Sequence, residues 1–180
     1  MRVLIIGCGY TGSALGGRLV REGHVVTGVV ASASSAEALR PLGITPRVAN
    51  CRTAGGALVA CRDGADAVIF SLSSGGGDYR DVYLGGLRHV LDALRGREPR
   101  LFIHVGSAAV YPQTDGEWVT EESPAEPPPG NARVLRETEQ ALVAGAEGRF
   151  AAFILRLGGI YGPGRHHLLD QLRASANLLP

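Results

Sequence analysis

The stretch GCGYTG places Gly7, Gly9 and Gly12 in the spacing G-x-G-x-x-G. It directly follows the apolar run Val3 to Ile6 and opens a stretch, Thr11 to Glu22, with apolar residues on one helical face at Ala14, Leu15, Leu19 and Val20. Between a strand and a helix, glycines at those places have separate uses. The first permits a tight turn, the second lets backbone close on a pyrophosphate, and the third lets the helix pack on the strand. The helix start adds unpaired N–H groups and the positive end of a dipole, both suited to phosphate. The spacing therefore points to a dinucleotide site bordered by Gly7, Cys8, Gly9, Tyr10, Thr11 and Gly12.

The usual companion of such a turn is an acidic residue about 20 positions later, which takes the adenosine ribose hydroxyls. Here the second strand ends at Val30, and no Asp or Glu occurs between Glu22 and Glu37. Ser32, Ser34 and Ser35 offer hydroxyls instead, with Arg40 as the nearest cation beyond them. Loss of the acid removes a charge that repels a 2′-phosphate. The cofactor expected is NADP or NAD, with NADP ahead by a small margin.

Composition narrows the chemistry. All 18 basic residues are arginine, so no lysine can form a Schiff base or tune a neighbouring acid. A formal net charge of +1 argues against nucleic acid as the main partner. No apolar run approaches the roughly 18 residues of a membrane span, and the N-terminus enters a strand directly, so neither a membrane anchor nor a leader is expected. Cys8, Cys51 and Cys61 are odd in number and lack C-x-x-C spacing. They suit small buried side chains in a reducing, cytoplasmic compartment. No metal site is expected: the histidines are scattered, and the pair His166 and His167 has only Asp170 nearby.

The elements that would position these residues alternate along the chain. Strands are expected at Val3 to Ile6, Val25 to Val30, Arg47 to Ala49, Ala67 to Leu72, Leu101 to Val105 and Ala151 to Leu157. Helices are expected at Thr11 to Glu22, Ala36 to Arg40, Ala54 to Cys61, Asp81 to Leu94 and Asn131 to Ala144. This βαβ alternation predicts a Rossmann-type, doubly wound α/β fold: a mainly parallel sheet with helices on both faces. One NAD(P)-binding domain is expected over residues 1–180. The Pro-rich, acidic stretch Gln113 to Gly130 is too long for a simple connection, a length usual in loops that are functional or mobile.

Five stretches then occur in a telling order: GCGYTG, GADAVIFSLSS, VYLGGLRHVLDAL, HVGSAAVYP and LRLGGIYGPG. In order and spacing they resemble the extended and atypical short-chain dehydrogenase/reductase superfamily, above all its NAD-dependent epimerase/dehydratase-like members. The similarity spans nearly the whole chain. It implies that Ser107 hydrogen-bonds the substrate and that Ser71, Leu72 and Ser73 lie along the nicotinamide ribose. It also implies that Leu157, Gly158 and Tyr161 border cofactor and substrate. Asn50, just past the third strand, completes the candidate cofactor set. The superfamily commonly dimerises through its fourth and fifth helices. Val82, Leu84, Leu87, Val90, Leu91 and Leu94 could serve a homodimer in that way, although burial against the chain's own sheet uses the same pattern.

The resemblance breaks at one motif. Superfamily members begin the helix after the long loop with Tyr-x-x-x-Lys, the tyrosine acting as acid/base and the lysine lowering its pKa. The alignment puts Asn131 and Leu135 at those positions, and no shift of register can restore a lysine. Asn131 is expected to cap the helix instead. Tyr83, at a fourth-helix position near the nicotinamide, is the substitute proton donor, with Tyr111 and Tyr161 also near strand ends. Without a cationic neighbour each would keep a pKa of about 10 and donate as a neutral phenol. Members also carry a C-terminal substrate-binding part, of which residues 165–180 would be the start of a shortened version. Two functions are open: an atypical oxidoreductase or epimerase/dehydratase-like enzyme acting on a small hydroxyl, carbonyl or nucleotide-sugar substrate, and a non-catalytic dinucleotide sensor.

Overall fold

Val3, Leu4, Ile5 and Ile6 are all buried, as a strand covered on both faces requires. They lie in β1 (Arg2–Ile6), an inner strand of a six-stranded sheet completed by β2 (Val25–Val30), β3 (Thr45–Val48), β4 (Ala67–Phe70), β5 (Leu101–Ser107) and β6 (Ala151–Leu157). The computed structural model describes residues 1–176. The strand order is β3-β2-β1-β4-β5-β6, with every pairing parallel. The order reverses between β1 and β4. Open α/β sheets bind ligands in the crevice that such a reversal leaves at the carboxyl ends of the strands.

The helices are α1 (Tyr10–Arg21), α2 (Ala33–Glu37), α3 (Ala54–Cys61), α4 (Gly86–Ala93), α5 (Asn131–Ala146) and α6 (His167–Ala176). Strand alternation sends Leu4, Ile6, Val68 and Phe70 to one face, where they pack with Ala57 of α3, Leu87 and Val90 of α4 and Leu142 of α5. Val3, Ile5, Val26 and Ile69 go to the other face, against Leu15 and Leu19 of α1 and Ala36 of α2. Val82, Leu84, Leu87, Val90, Leu91 and Leu94 are all buried within the chain. These six side chains therefore belong to its own core.

The sheet follows the sequence pattern closely, and the departures have local causes. The short helix after β2 begins earlier than its apolar pattern suggests, because the Ser32 hydroxyl accepts from the Ser35 N–H and caps it. A 3-10 turn, Arg40–Leu42, follows; Pro41 has no N–H to donate and cannot continue an α-helix. The helix expected from Asp81 instead opens as a π-helical turn, Arg80–Gly85, before α4. Such widened turns are rare and recur at functional sites.

His104 on β5 is 1% exposed, with its ring 5.6 Å from that of Phe70. Neither ring nitrogen meets a well-aligned partner. Burial pushes its pKa below the ordinary 6.5, against the opposing pull of Glu139 and the Phe70 backbone. The unfolded chain therefore takes up the proton first. The associated stability is fully present above pH about 6.5 and is lost as pH falls toward the depressed folded value. His104→Leu should flatten the fall in urea midpoint between pH about 7 and 5. An unchanged slope would assign that fall to other groups.

Candidate cofactor site

The Gly-rich turn is held from both sides. Gly7 and Cys8 donate their backbone N–H groups to the Val29 carbonyl at 3.1 and 2.9 Å, and Ser71 donates to the Ile6 carbonyl at 2.8 Å. Gly7 has φ +86°, and a Cβ there would overlap the Ser71 carbonyl, so both conformation and space require glycine. At Gly12 a Cβ would come within 2.9 Å of the Gly7 carbonyl oxygen and 3.0 Å of Ile5 Cγ2. Gly12 is thus a packing residue that lets α1 approach β1. Gly9 differs: a Cβ there would meet nothing within 4 Å. Its backbone faces open space.

That space is a cavity of about 690 Å³ across the carboxyl ends of the strands, within the range of small-molecule and cofactor sites. Gly7, Cys8, Gly9, Tyr10 and Thr11 line one side. Asn50 lines it past β3, Ser71, Leu72 and Ser73 past β4, Ser107 at the end of β5 and Leu157 at the end of β6. Gly12 and Ser32 are not among the lining residues. Ser32 caps α2, and Ser35 reaches the cavity in its place. Arg40 is exposed and pairs with Glu37 on its own turn, so it does not line the site. The Asn50 carboxamide oxygen accepts from the Arg52 N–H at 3.1 Å, fixing the segment after β3.

No thiolate operates here. Cys8 is 2% exposed, so it is its backbone that borders the cavity. Burial pushes the thiols of Cys8 and Cys51 up to about 11 and that of Cys61 up to about 12. Among the described residues no three His, Cys, Asp or Glu side chains come together as a metal site; the side chain of His167 lies outside the described residues.

The far end of the cavity is aromatic and apolar. Tyr79 and Tyr83 both line it, their rings 5.1 Å apart and inclined by 47°. Burial first, and then the neighbouring Tyr79, raises the pKa of Tyr83. Its hydroxyl is therefore a neutral donor at ordinary pH. The Ser107 oxygen accepts from the Ala109 N–H at 3.2 Å, which leaves its own proton free to donate. Tyr161 is 75% exposed and does not line the cavity.

Asn131 is not the N-cap. Gly130 takes that position with φ +131°, a conformation L side chains rarely adopt, and its carbonyl accepts from Arg133 and Val134. Asn131 is already helical and exposed, makes no capping bond, and does not line the cavity. One turn on, Leu135 is buried and presents an apolar wall to the site.

Beside that wall lies a buried charge network. Glu139 of α5 is 1% exposed and accepts from Arg156 of β6 through Nε at 3.0 Å and Nη2 at 2.9 Å, and from Arg136 at 2.9 Å. The carboxylate, with smaller help from Tyr111, holds the Arg156 guanidinium well above its usual pKa. Arg156 also donates to the Tyr111 hydroxyl at 2.8 Å, and Tyr111 donates to the Thr120 carbonyl at 3.0 Å. The chain of bonds runs from the core to the long acidic loop.

Tyr79, Arg52 and Arg165 are among the lining residues that the sequence pattern does not single out. The four-residue spacing from Tyr79 to Tyr83 was a usable signal. Nothing local marks the two arginines, which reach the cavity only through the path of the chain.

The reversed strand order, the Gly-rich turn and the cavity at the strand ends define an NAD(P)-binding protein of Rossmann type. Residues 7–160 match the family described as NAD(P)H-binding, and the chain belongs to it. It resembles a candidate NAD-dependent epimerase/dehydratase of Methylobacillus flagellatus at 28% identity and TM-score 0.78, covering 99% of this chain and 61% of that one. A candidate epimerase from Burkholderia cenocepacia matches at 26% identity and TM-score 0.79, over 95% of this chain and 59% of the other. The UDP-glucose 4-epimerase of Thermus thermophilus, solved with NAD, shares the fold at 24% identity and TM-score 0.78, over 92% and 57%. The chain is also 35% identical over 177 residues to Protein YeeZ of Escherichia coli strain K12, spanning 92% of this chain and 61% of that protein's length. No helix among the described residues is long and apolar enough to cross a membrane.

Proposed function

We propose that the chain binds NADP or NAD along the Gly-rich turn and acts as an atypical oxidoreductase or epimerase/dehydratase-like enzyme on a small hydroxyl or carbonyl compound. The observation that carries this reading is the single cavity running from Gly9 to Ser107 and Tyr83. The nicotinamide would supply the hydride chemistry, while the protein supplies orientation and a proton donor. Ser107 hydrogen-bonds the substrate oxygen, and Tyr83 donates as a neutral phenol. NADP is favoured because no carboxylate among the described residues lines the cavity, while Ser35 and Arg52 do. A second reading, a dinucleotide sensor without turnover, draws on Leu135: an apolar side chain stands where the alignment puts a catalytic lysine.

Titration with NADPH and NADH, followed by nicotinamide emission, should saturate at micromolar concentration and more tightly for NADPH. Folded protein that fails to bind either at millimolar concentration would overturn the reading. If the bound NADPH is then discharged by a carbonyl compound, Tyr83→Phe should slow turnover by about 10²–10⁴-fold. Saturation without discharge by any carbonyl favours the sensor.

A further inference from the structure

Among the described residues, Arg52 and Arg165 are the two cations that line the cavity. Among the described residues no ion pair neutralises either. Arg165 is the better placed for phosphate, because its position is built from the Gly-rich turn itself. Its guanidinium lies 5.6 Å from the centroid of the Tyr10 ring, the residue directly after Gly9. The Tyr10 hydroxyl donates to the Pro163 carbonyl at 3.1 Å, across 153 positions of sequence. Gly162 and Arg165 exchange backbone bonds at 3.2 and 2.9 Å, closing a tight turn between them. At Gly162 a Cβ would come within 2.6 Å of the Tyr10 hydroxyl. The segment after β6 is therefore pinned against the start of α1.

We propose that Arg165 is the cationic jaw of a diphosphate clamp whose other jaw is the Gly-rich turn. The inference rests on the cofactor reading and adds to it a residue on the opposite side of the ligand. The N–H groups at the start of α1 take the diphosphate from one side. The Arg165 fork takes it from the other, with charge-assisted and bidentate geometry that lysine could not reproduce. Tyr10 positions the fork by holding Pro163 and by offering its ring to the cation. A bound diphosphate thereby ties the segment after β6 to the first turn of the fold. The same chemistry could come from the dinucleotide or from a nucleoside diphosphate substrate.

The test uses wild type, Arg165→Gln, Arg165→Lys and Tyr10→Phe, each titrated with NADPH and then, at saturating NADPH, with UDP. Arg165→Gln is expected to weaken NADPH by about tenfold to a hundredfold, as loss of a hydrogen bond to a charged group does. Its thermal midpoint without ligand should stay unchanged, since the side chain is exposed. Arg165→Lys should recover part of the loss, and Tyr10→Phe should show a smaller one. If only UDP binding falls, Arg165 grips a substrate diphosphate while NADPH holds the turn, and the two-jawed clamp is overturned. NADPH and UDP affinities within about twofold of wild type in Arg165→Gln would overturn the clamp, while wild-type saturation keeps the cofactor reading intact. Failure of wild type to bind either probe overturns both.

Discussion

Replacing Glu139 with alanine is expected to destabilise the fold by about 3–5 kcal/mol, the usual cost of leaving a buried ion without its partner. The carboxylate is 1% exposed and accepts three bonds from two arginines. Arg136 can turn toward water, its side chain being 32% exposed. Arg156 cannot do so readily, at 17% exposed between β6 and Tyr111. Its guanidinium would remain inside with one neutral hydroxyl for company. A domain holds only about 5–15 kcal/mol in total, so the variant should unfold at a much lower urea midpoint with little change in slope. A loss below about 1 kcal/mol would mean that water reaches Arg156 and replaces the carboxylate. Glu139→Gln keeps the shape and one acceptor oxygen, and should fall between the two.

Gly9→Asp should abolish dinucleotide binding while leaving the fold untouched. These two outcomes are separable here because a Cβ at Gly9 meets nothing within 4 Å. At Gly7 or Gly12 the same experiment would be confounded by clashes with backbone. A carboxylate about 4 Å from a phosphate at a partly exposed site costs on the order of 4 kcal/mol, close to a thousandfold in affinity. The measurement is a paired one, NADPH titration together with a thermal melt. Lost binding with an unchanged melt locates the phosphates at the turn. Retained binding would place the ligand elsewhere and remove the basis for the cofactor reading.

What the sequence makes legible divides along physical lines. β2, α3 and β6 were legible to the residue because apolar runs bounded by polar or glycine residues have few alternative folds. The Gly-rich turn was legible because its glycines answer steric demands that no other residue meets. The π-helical turn before α4 was not, since one extra residue in a turn leaves no mark in composition, yet it adjoins Tyr79 and carries Tyr83. Ser32 and Asn131 fit their expected roles by residue type. A local hydrogen bond engaged the first, and a left-handed glycine displaced the second. Arg165 was invisible for a different reason. Its place is set by a contact between segments at opposite ends of the chain, which spacing alone does not record.

The long acidic loop between β5 and α5 has a dynamic consequence of its own. Tyr111 fastens it at Thr120, Gln113 donates to the Pro124 carbonyl, and Ala125 is buried with Val110 and Leu135. These anchors divide one long excursion into short arcs, each with far fewer states to explore than the whole. Trp118, 97% exposed, rides on the arc that has no anchor of its own. Its tip can reorient on the nanosecond-to-microsecond scale of free loops. The base of the loop moves only when the Arg156 network opens with it, an event that belongs with local unfolding. A reporter at Trp118 thus reads the tip alone, and hydrogen exchange at the anchors reads the slow clock.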